Sequence, residues 1–233
     1  MPEDTSFYQQ NKERIMQEAR GFYAGVRQIL AASNGSEIAD AVQRDSMARF
    51  QEIFAVLPDI GGAGNPLTGT LVQSAMVLGF YLASKSQGMP SREAGRISCE
   101  IIDAYYRTDE GRNTVKKATP ESVAAQREVM LMSSGRLPWA EGWQTKHADA
   151  SGFDMGWDNS ECGILKLYEK FDAREYVPYQ CMVDAIIYPL RGLGLVRSRT
   201  LVDSDCCDFR VKLGGETRLE PFARECLREW GKT

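Results

Sequence analysis

Between Cys162 and Phe209 the chain repeatedly sets reactive side chains among apolar ones. Cys162 comes first, then Cys181-Met182-Val183-Asp184, Arg199-Thr200-Leu201 and Cys206-Cys207-Asp208-Phe209. A carboxylate inside the run Met182-Val183-Asp184-Ala185-Ile186-Ile187 must find a partner or keep its proton, because a bare buried charge is strongly penalised. Asp184 is therefore the first candidate for pairing with a cationic ligand and for acid–base work. The alternative is a structural ion pair with Arg197 or Arg199.

The thiols follow from the same pattern. In a strand over 206–213, Cys207, Phe209, Val211 and Leu213 share one face, and Cys206, Asp208, Arg210 and Lys212 share the other. Cys207 then points inward and is a candidate nucleophile, provided something lowers its pKa. His147 is the sole histidine. Docked against Cys207 it would complete a thiol dyad; otherwise it is a solvated loop residue. Cys162 and Cys181 either line a pocket or serve as small buried hydrophobes. In a helix over 175–190, Val177, Cys181, Asp184 and Tyr188 recur at spacings of four, three and four, so Cys181, Asp184 and Tyr188 share one wall.

These groups must be positioned by neighbouring elements. Ile15, Ala19, Phe22, Val26 and Ile29 predict a long amphipathic helix ended by Asn34-Gly35. A second is expected from Ser36 to about Val56, with Phe50, Phe54 and Leu57 inward. The segment Gly61-Gly62-Ala63-Gly64-Asn65-Pro66-Leu67-Thr68 reads as a loop entering a helix that is apolar almost all round from Thr68 to Ala83, with Asn65 as N-cap and Pro66 at the first helical position. Its backbone N–H groups could hold a substrate carboxylate, which makes Gly61, Gly62, Asn65 and Thr68 binding candidates; a tight turn is the alternative. Further helices are expected from Pro90 and from Thr119-Pro120-Glu121.

Residues 133–151 read as irregular, a hinge or covering loop, with Trp139, Trp143 and Trp157 forming a pocket wall or packing that loop down. Beyond lie a strand over 153–157, helices over 161–171 and 175–190, and strands over 194–202 and 206–213 turned through Asp203-Ser204-Asp205. The expected class is α+β: a helical region 1–135 and a region 136–233 with a small antiparallel sheet, sharing one pocket.

The bulk properties exclude several functions. A net charge of −4 and the absence of a Lys/Arg stripe argue against nucleic acid as a partner. The apolar run from Leu71 to Ala83 is too short to span a bilayer. The polar start Met1-Pro2-Glu3-Asp4-Thr5 lacks the pattern of a signal peptide, so a cytoplasmic location with six reduced cysteines is expected. No CxxC pair occurs, and one histidine excludes multi-histidine metal sites. A thiol cluster with Asp184 has ligand types suited to zinc or iron, but its spacings match no metal motif.

The chain resembles the L-2-amino-thiazoline-4-carboxylic acid hydrolases. The resemblance rests on Pro58-Asp59-Ile60-Gly61-Gly62, Asn65, Thr68 and the helix to Lys85 and Gly88, and on Phe153-Asp154, Cys162, Cys181-Met182-Val183-Asp184, Arg199-Thr200-Leu201 and Cys207-Asp208-Phe209. It implies a hydrolase that needs no cofactor or metal and opens a small cyclic amidine to an N-carbamoyl amino acid. Asp184, Cys207 and His147 would then be the catalytic candidates. Gly61, Gly62, Asn65, Thr68, Cys162, Cys181, Tyr188 and Arg199 would bind the substrate. Two alternatives are a biosynthetic enzyme that cyclises or rearranges a small molecule, and a thiol-based ligand- or metal-binding module. The expected partner is a small molecule, with neither nucleic acid nor membrane, and a homo-oligomer is compatible with the sequence.

Overall fold

The structure, a computed structural model, describes residues 6–132 and 141–231. Trp139 and the first part of the expected loop 133–151 lie outside the described residues. In chain order the first helices are α1 (Phe7–Gln10), α2 (Lys12–Asn34), α3 (Ser36–Ala55), α4 (Thr68–Ser86), α5 (Ser91–Arg107), α6 (Asp109–Thr114) and α7 (Pro120–Met132). Strands β1 (Gln144–His147) and β2 (Met155–Glu161) follow, then α8 (Gly163–Lys170), α9 (Val177–Cys181), α10 (Asp184–Leu190), β3 (Leu193–Val196), β4 (Cys207–Leu213) and α11 (Pro221–Glu229). The class is α+β.

The chain divides into two compact units, Met1–Ile101 with Lys166–Tyr176, and Ile102–Leu165 with Val177–Thr233. The boundary drawn from sequence at 135/136 falls within the second unit.

In the first unit the expected helices form, and α4 is buried on nearly every side. The buried stripe of α2 runs through Ile15, Ala19, Tyr23, Val26 and Leu30. It is centred one residue beyond the expected Phe22 and Ile29, because the Tyr23 hydroxyl reaches inward and donates to the Met76 carbonyl at 2.9 Å. Gly79 permits this approach: a Cβ there would lie 2.6 Å from the Tyr23 oxygen and 3.0 Å from the Ser46 carbonyl oxygen. The segment 166–176 is held to the same unit by aromatic hydroxyls, Tyr168 donating to the Ser74 carbonyl and Tyr176 bonding Ser98.

The second unit is built on an antiparallel sheet in the order β1-β2-β4-β3. Its register pairs Trp157 with Phe209, Asn159 with Cys207, and Leu195 with Val211. Side chains directly opposite share a face, and so do residues two apart. Met155, Trp157, Asn159, Cys207, Val211, Leu193 and Leu195 thus form one buried face, the inward face expected for Cys207.

The expected helix over 175–190 is instead two, α9 and α10, parted at Met182-Val183. There the N–H groups of Met182, Val183, Ala185 and Ile186 each bond the carbonyl three residues back, which tightens the turn. The expected strand over 194–202 stops at Val196. Beyond it Asp208 captures the backbone N–H groups of Ser198 and Arg199 and the Ser198 hydroxyl, turning residues 197–206 into a pinned excursion. β1 was not expected, since Gln144-Thr145-Lys146-His147 is polar throughout, as an edge strand can be.

Candidate active site

Arg197 continues the inward series Leu193, Leu195 of β3, and its side chain is 1% exposed. A guanidinium so buried needs acceptors on every side. Its Nε donates to Glu220 Oε2 (2.9 Å), Nη2 to Glu220 Oε1 (3.2 Å) and to the Cys181 carbonyl (3.1 Å), and Nη1 to Asp184 Oδ2 (2.5 Å). Its planar group also lies over the Phe209 ring, 5.4 Å from the centroid. These contacts, with the charges around them, push the Arg197 pKa up against the opposing effect of burial. Glu220 is presented by the N-terminus of α11, where Pro221 takes the first helical position.

Asp184 is engaged on one side only. Oδ2 is fixed by Arg197, whereas Oδ1 accepts no hydrogen bond among the described residues, and the side chain is 30% exposed. Burial raises its pKa, and the opposing pull of Arg197 does not cancel that rise. A carboxyl surrounded by protein yet carrying an open oxygen and a raised pKa suits proton transfer and the binding of a cation. Tyr188, one turn along α10, lies within electrostatic reach of Asp184 and Arg197; burial raises its pKa, so its hydroxyl keeps its proton.

Cys162, Cys181 and Cys207 lie within electrostatic reach of one another and are all free thiols. Their surroundings differ. Cys181 has its pKa raised well above the ordinary thiol value by burial. Cys207 is 7% exposed, accepts the Leu201 N–H at 3.3 Å and has its pKa pushed up by burial to about 12, so the lowered pKa that a nucleophile needs is not provided there.

Cys162 directly precedes α8. Burial raises its pKa, against the opposing pull of the neighbouring Leu165 and Ile164 backbone and of the Trp143 indole. Gly163 makes room for that indole, since a Cβ there would lie 2.9 Å from the Trp143 ring. Among the described residues, no group of three His, Cys, Asp or Glu side chains converges as metal ligands would.

Several expected site residues lie elsewhere. His147 is in β1, opposite Trp157, whereas Cys207 is in β4, opposite Asn159. β2 lies between them, so their backbones are two strand spacings apart, about 10 Å, and offset along the strands. A direct His147–Cys207 dyad is therefore not formed. Arg199 is exposed and faces Asp205 at 3.4 Å; it is Arg197 that pairs with Asp184. Trp157 stacks on Phe209, with centroids 5.0 Å apart, as part of the sheet's packing.

In the first unit the glycine turn uses its own polar groups. Asn65 donates to the Ile60 carbonyl (2.6 Å) and accepts from the Leu67 N–H (2.9 Å), and Thr68 donates to the Gly62 carbonyl (2.7 Å). Gly61 and Gly62 both have positive φ, and a Cβ on Gly62 would lie 2.8 Å from Phe7 Cβ. The geometry is that of a stapled turn.

Sequence reasoning missed Glu220, the main partner of the buried guanidinium. Glu220-Pro221 before Phe222-Ala223 is a readable helix start. The site is thus a thiol and carboxylate cluster around a buried arginine on an α+β scaffold. Comparison with family models, curated proteins and solved structures gave no match for the chain.

Proposed function

We propose that the second unit binds and hydrolyses a small cyclic amidine, with 2-aminothiazoline-4-carboxylate as the type substrate. The observation that carries this reading is the half-engaged Asp184, one oxygen locked on Arg197 and the other open. A protonated amidine offers N–H donors and a delocalised positive charge, the complement of an open carboxylate oxygen in a site that disfavours bare negative charge. Arg197 cannot move to meet a ligand because Glu220 and the Cys181 carbonyl hold it, so it fixes the direction of Asp184.

Hydrolysis adds water across the amidine carbon: its oxygen becomes the new carbonyl oxygen, the carbon–sulfur bond breaks, and the departing sulfur takes a proton. Asp184 accepts the proton from the attacking group and returns it to the leaving one, work for which a raised carboxyl pKa is suited. For the ring carboxylate the best anchor is Arg191. It lies within electrostatic reach of Tyr188 and forms no ion pair among the described residues.

Mass spectrometry after incubation of the protein with 2-aminothiazoline-4-carboxylate tests the reading. A product heavier by one water supports it. An unchanged ring removes it, and an isomer of unchanged mass favours a rearranging enzyme.

A further inference from the structure

Two carboxylates share the Arg197 guanidinium, and they hold it in different ways. Glu220 takes an edge of the group: Nε donates to Oε2 at 2.9 Å and Nη2 to Oε1 at 3.2 Å, so both of its oxygens are engaged. Asp184 takes one N–H, from Nη1 to Oδ2 at 2.5 Å, and its Oδ1 accepts no hydrogen bond among the described residues. The Glu220 side chain is 6% exposed and that of Asp184 30%. Glu220 is also built into its place. It stands at the N-cap of α11, yet its side chain makes no capping bond and turns to Arg197 instead. The chain before it is tied to the end of β3, where the Arg218 N–H donates to the Leu195 carbonyl at 2.6 Å and the Arg197 N–H to the Arg218 carbonyl at 3.0 Å.

A proton reaching this trio meets two unequal carboxylates. On either oxygen of Glu220 it takes the place of a guanidinium hydrogen bond and leaves a buried N–H without its acceptor. On Oδ1 of Asp184 it displaces nothing. We propose that Glu220 is a positioning residue: by filling the guanidinium edge with both of its oxygens, it directs the site's proton to Oδ1 of Asp184. This rests on the reading of Asp184 as the proton carrier of the reaction above. The proton taken from the attacking group and given to the leaving sulfur then passes through Asp184 alone, and Arg197 keeps all of its own. The Glu220 charge works in the same direction. Burial raises the Asp184 pKa, Arg197 pulls it down, and Glu220 offsets part of that pull. The other titratable groups within electrostatic reach of Asp184 are Cys162, Cys181 and Tyr188, each with its pKa raised by burial and uncharged at neutral pH.

Carboxyl-carbon NMR of the protein labelled at Asp and Glu, titrated without substrate, tests the assignment. As pH falls, the Asp184 resonance should move first while that of Glu220 stays still. A Glu220 resonance that moves with it or before it overturns the proposal, whether or not the protein turns over substrate. In Glu220→Gln, the Asp184 midpoint and the acidic limb of kcat/KM for 2-aminothiazoline-4-carboxylate should both fall by about one pH unit, because the charge opposing Arg197 is gone. Glu220→Asp, which keeps that charge, should return both toward the parent values. A Glu220 that only holds the fold would lower stability and leave both unmoved, which also overturns the proposal. The titration of the unaltered protein decides the matter even if Glu220→Gln misfolds. Absence of turnover with Asp184 moving first removes the hydrolase reading and leaves the proton's place standing.

Discussion

The glycine turn at residues 61–68 and the cluster around Arg197 both present glycines or polar side chains where a ligand could be held, yet they differ in what is left over. In the turn, Asn65 and Thr68 spend their side chains on Ile60, Leu67 and Gly62. In the cluster, Arg197 saturates Glu220 but engages only one oxygen of Asp184. A buried polar group whose partners all come from its own loop stabilises the fold; one with an open valence costs stability and is kept for another purpose.

The largest expected effect tests the centre of the cluster. Arg197→Met leaves Glu220 buried without its countercharge, and removing one partner of a buried pair costs about 3–5 kcal/mol. Denaturant unfolding should show that loss; a change under about 1 kcal/mol would mean that water reaches Glu220 freely.

Asp184→Asn should behave in the opposite way. The folded-state pKa of Asp184 is raised above the unfolded value, so its stabilising contribution is present below the unfolded carboxyl pKa of about 3.9 and is lost as pH rises through the folded value. At neutral pH the uncharged variant should be at least as stable as the parent, and the two should converge in acid. Melting curves across that range check the sign. In catalysis, the acidic limb of kcat/KM should lie above the ordinary carboxylate range.

Arg191→Gln should raise KM about tenfold with little change in kcat, as loss of one ground-state contact does; an unchanged KM would place the carboxylate elsewhere. The smallest effect belongs to the turn. Thr68→Val should cost about 1 kcal/mol through the lost bond to Gly62 and leave KM alone. A tenfold rise in KM there would dissolve the contrast between the two regions.

How much of this could be read from residues alone follows the same physics. The helices of the first unit were legible because their apolar spacing repeats over many turns, and the inward face of β4 because Cys207, Phe209, Val211 and Leu213 alternate without a break. Asp184 stood out as a carboxylate among aliphatic neighbours. The polar strand β1 and the Asp208-pinned excursion were not legible, because sheet pairing and a side chain of another strand set them rather than local preference; the break at Met182-Val183 is made of local bonds, but no Gly or Pro at residues 179–184 marks it. The choice of Arg197 over Arg199 was readable in part, since Leu193, Leu195 and Arg197 keep strand parity and Arg199 lies past the strand's end.

The most direct test compares kcat/KM for 2-aminothiazoline-4-carboxylate between the unaltered protein and Asp184→Asn at neutral pH, with melting measured on the same samples. A loss of at least about a hundredfold without loss of stability is the predicted result. Equal turnover by the two, with both folded, would contradict the account.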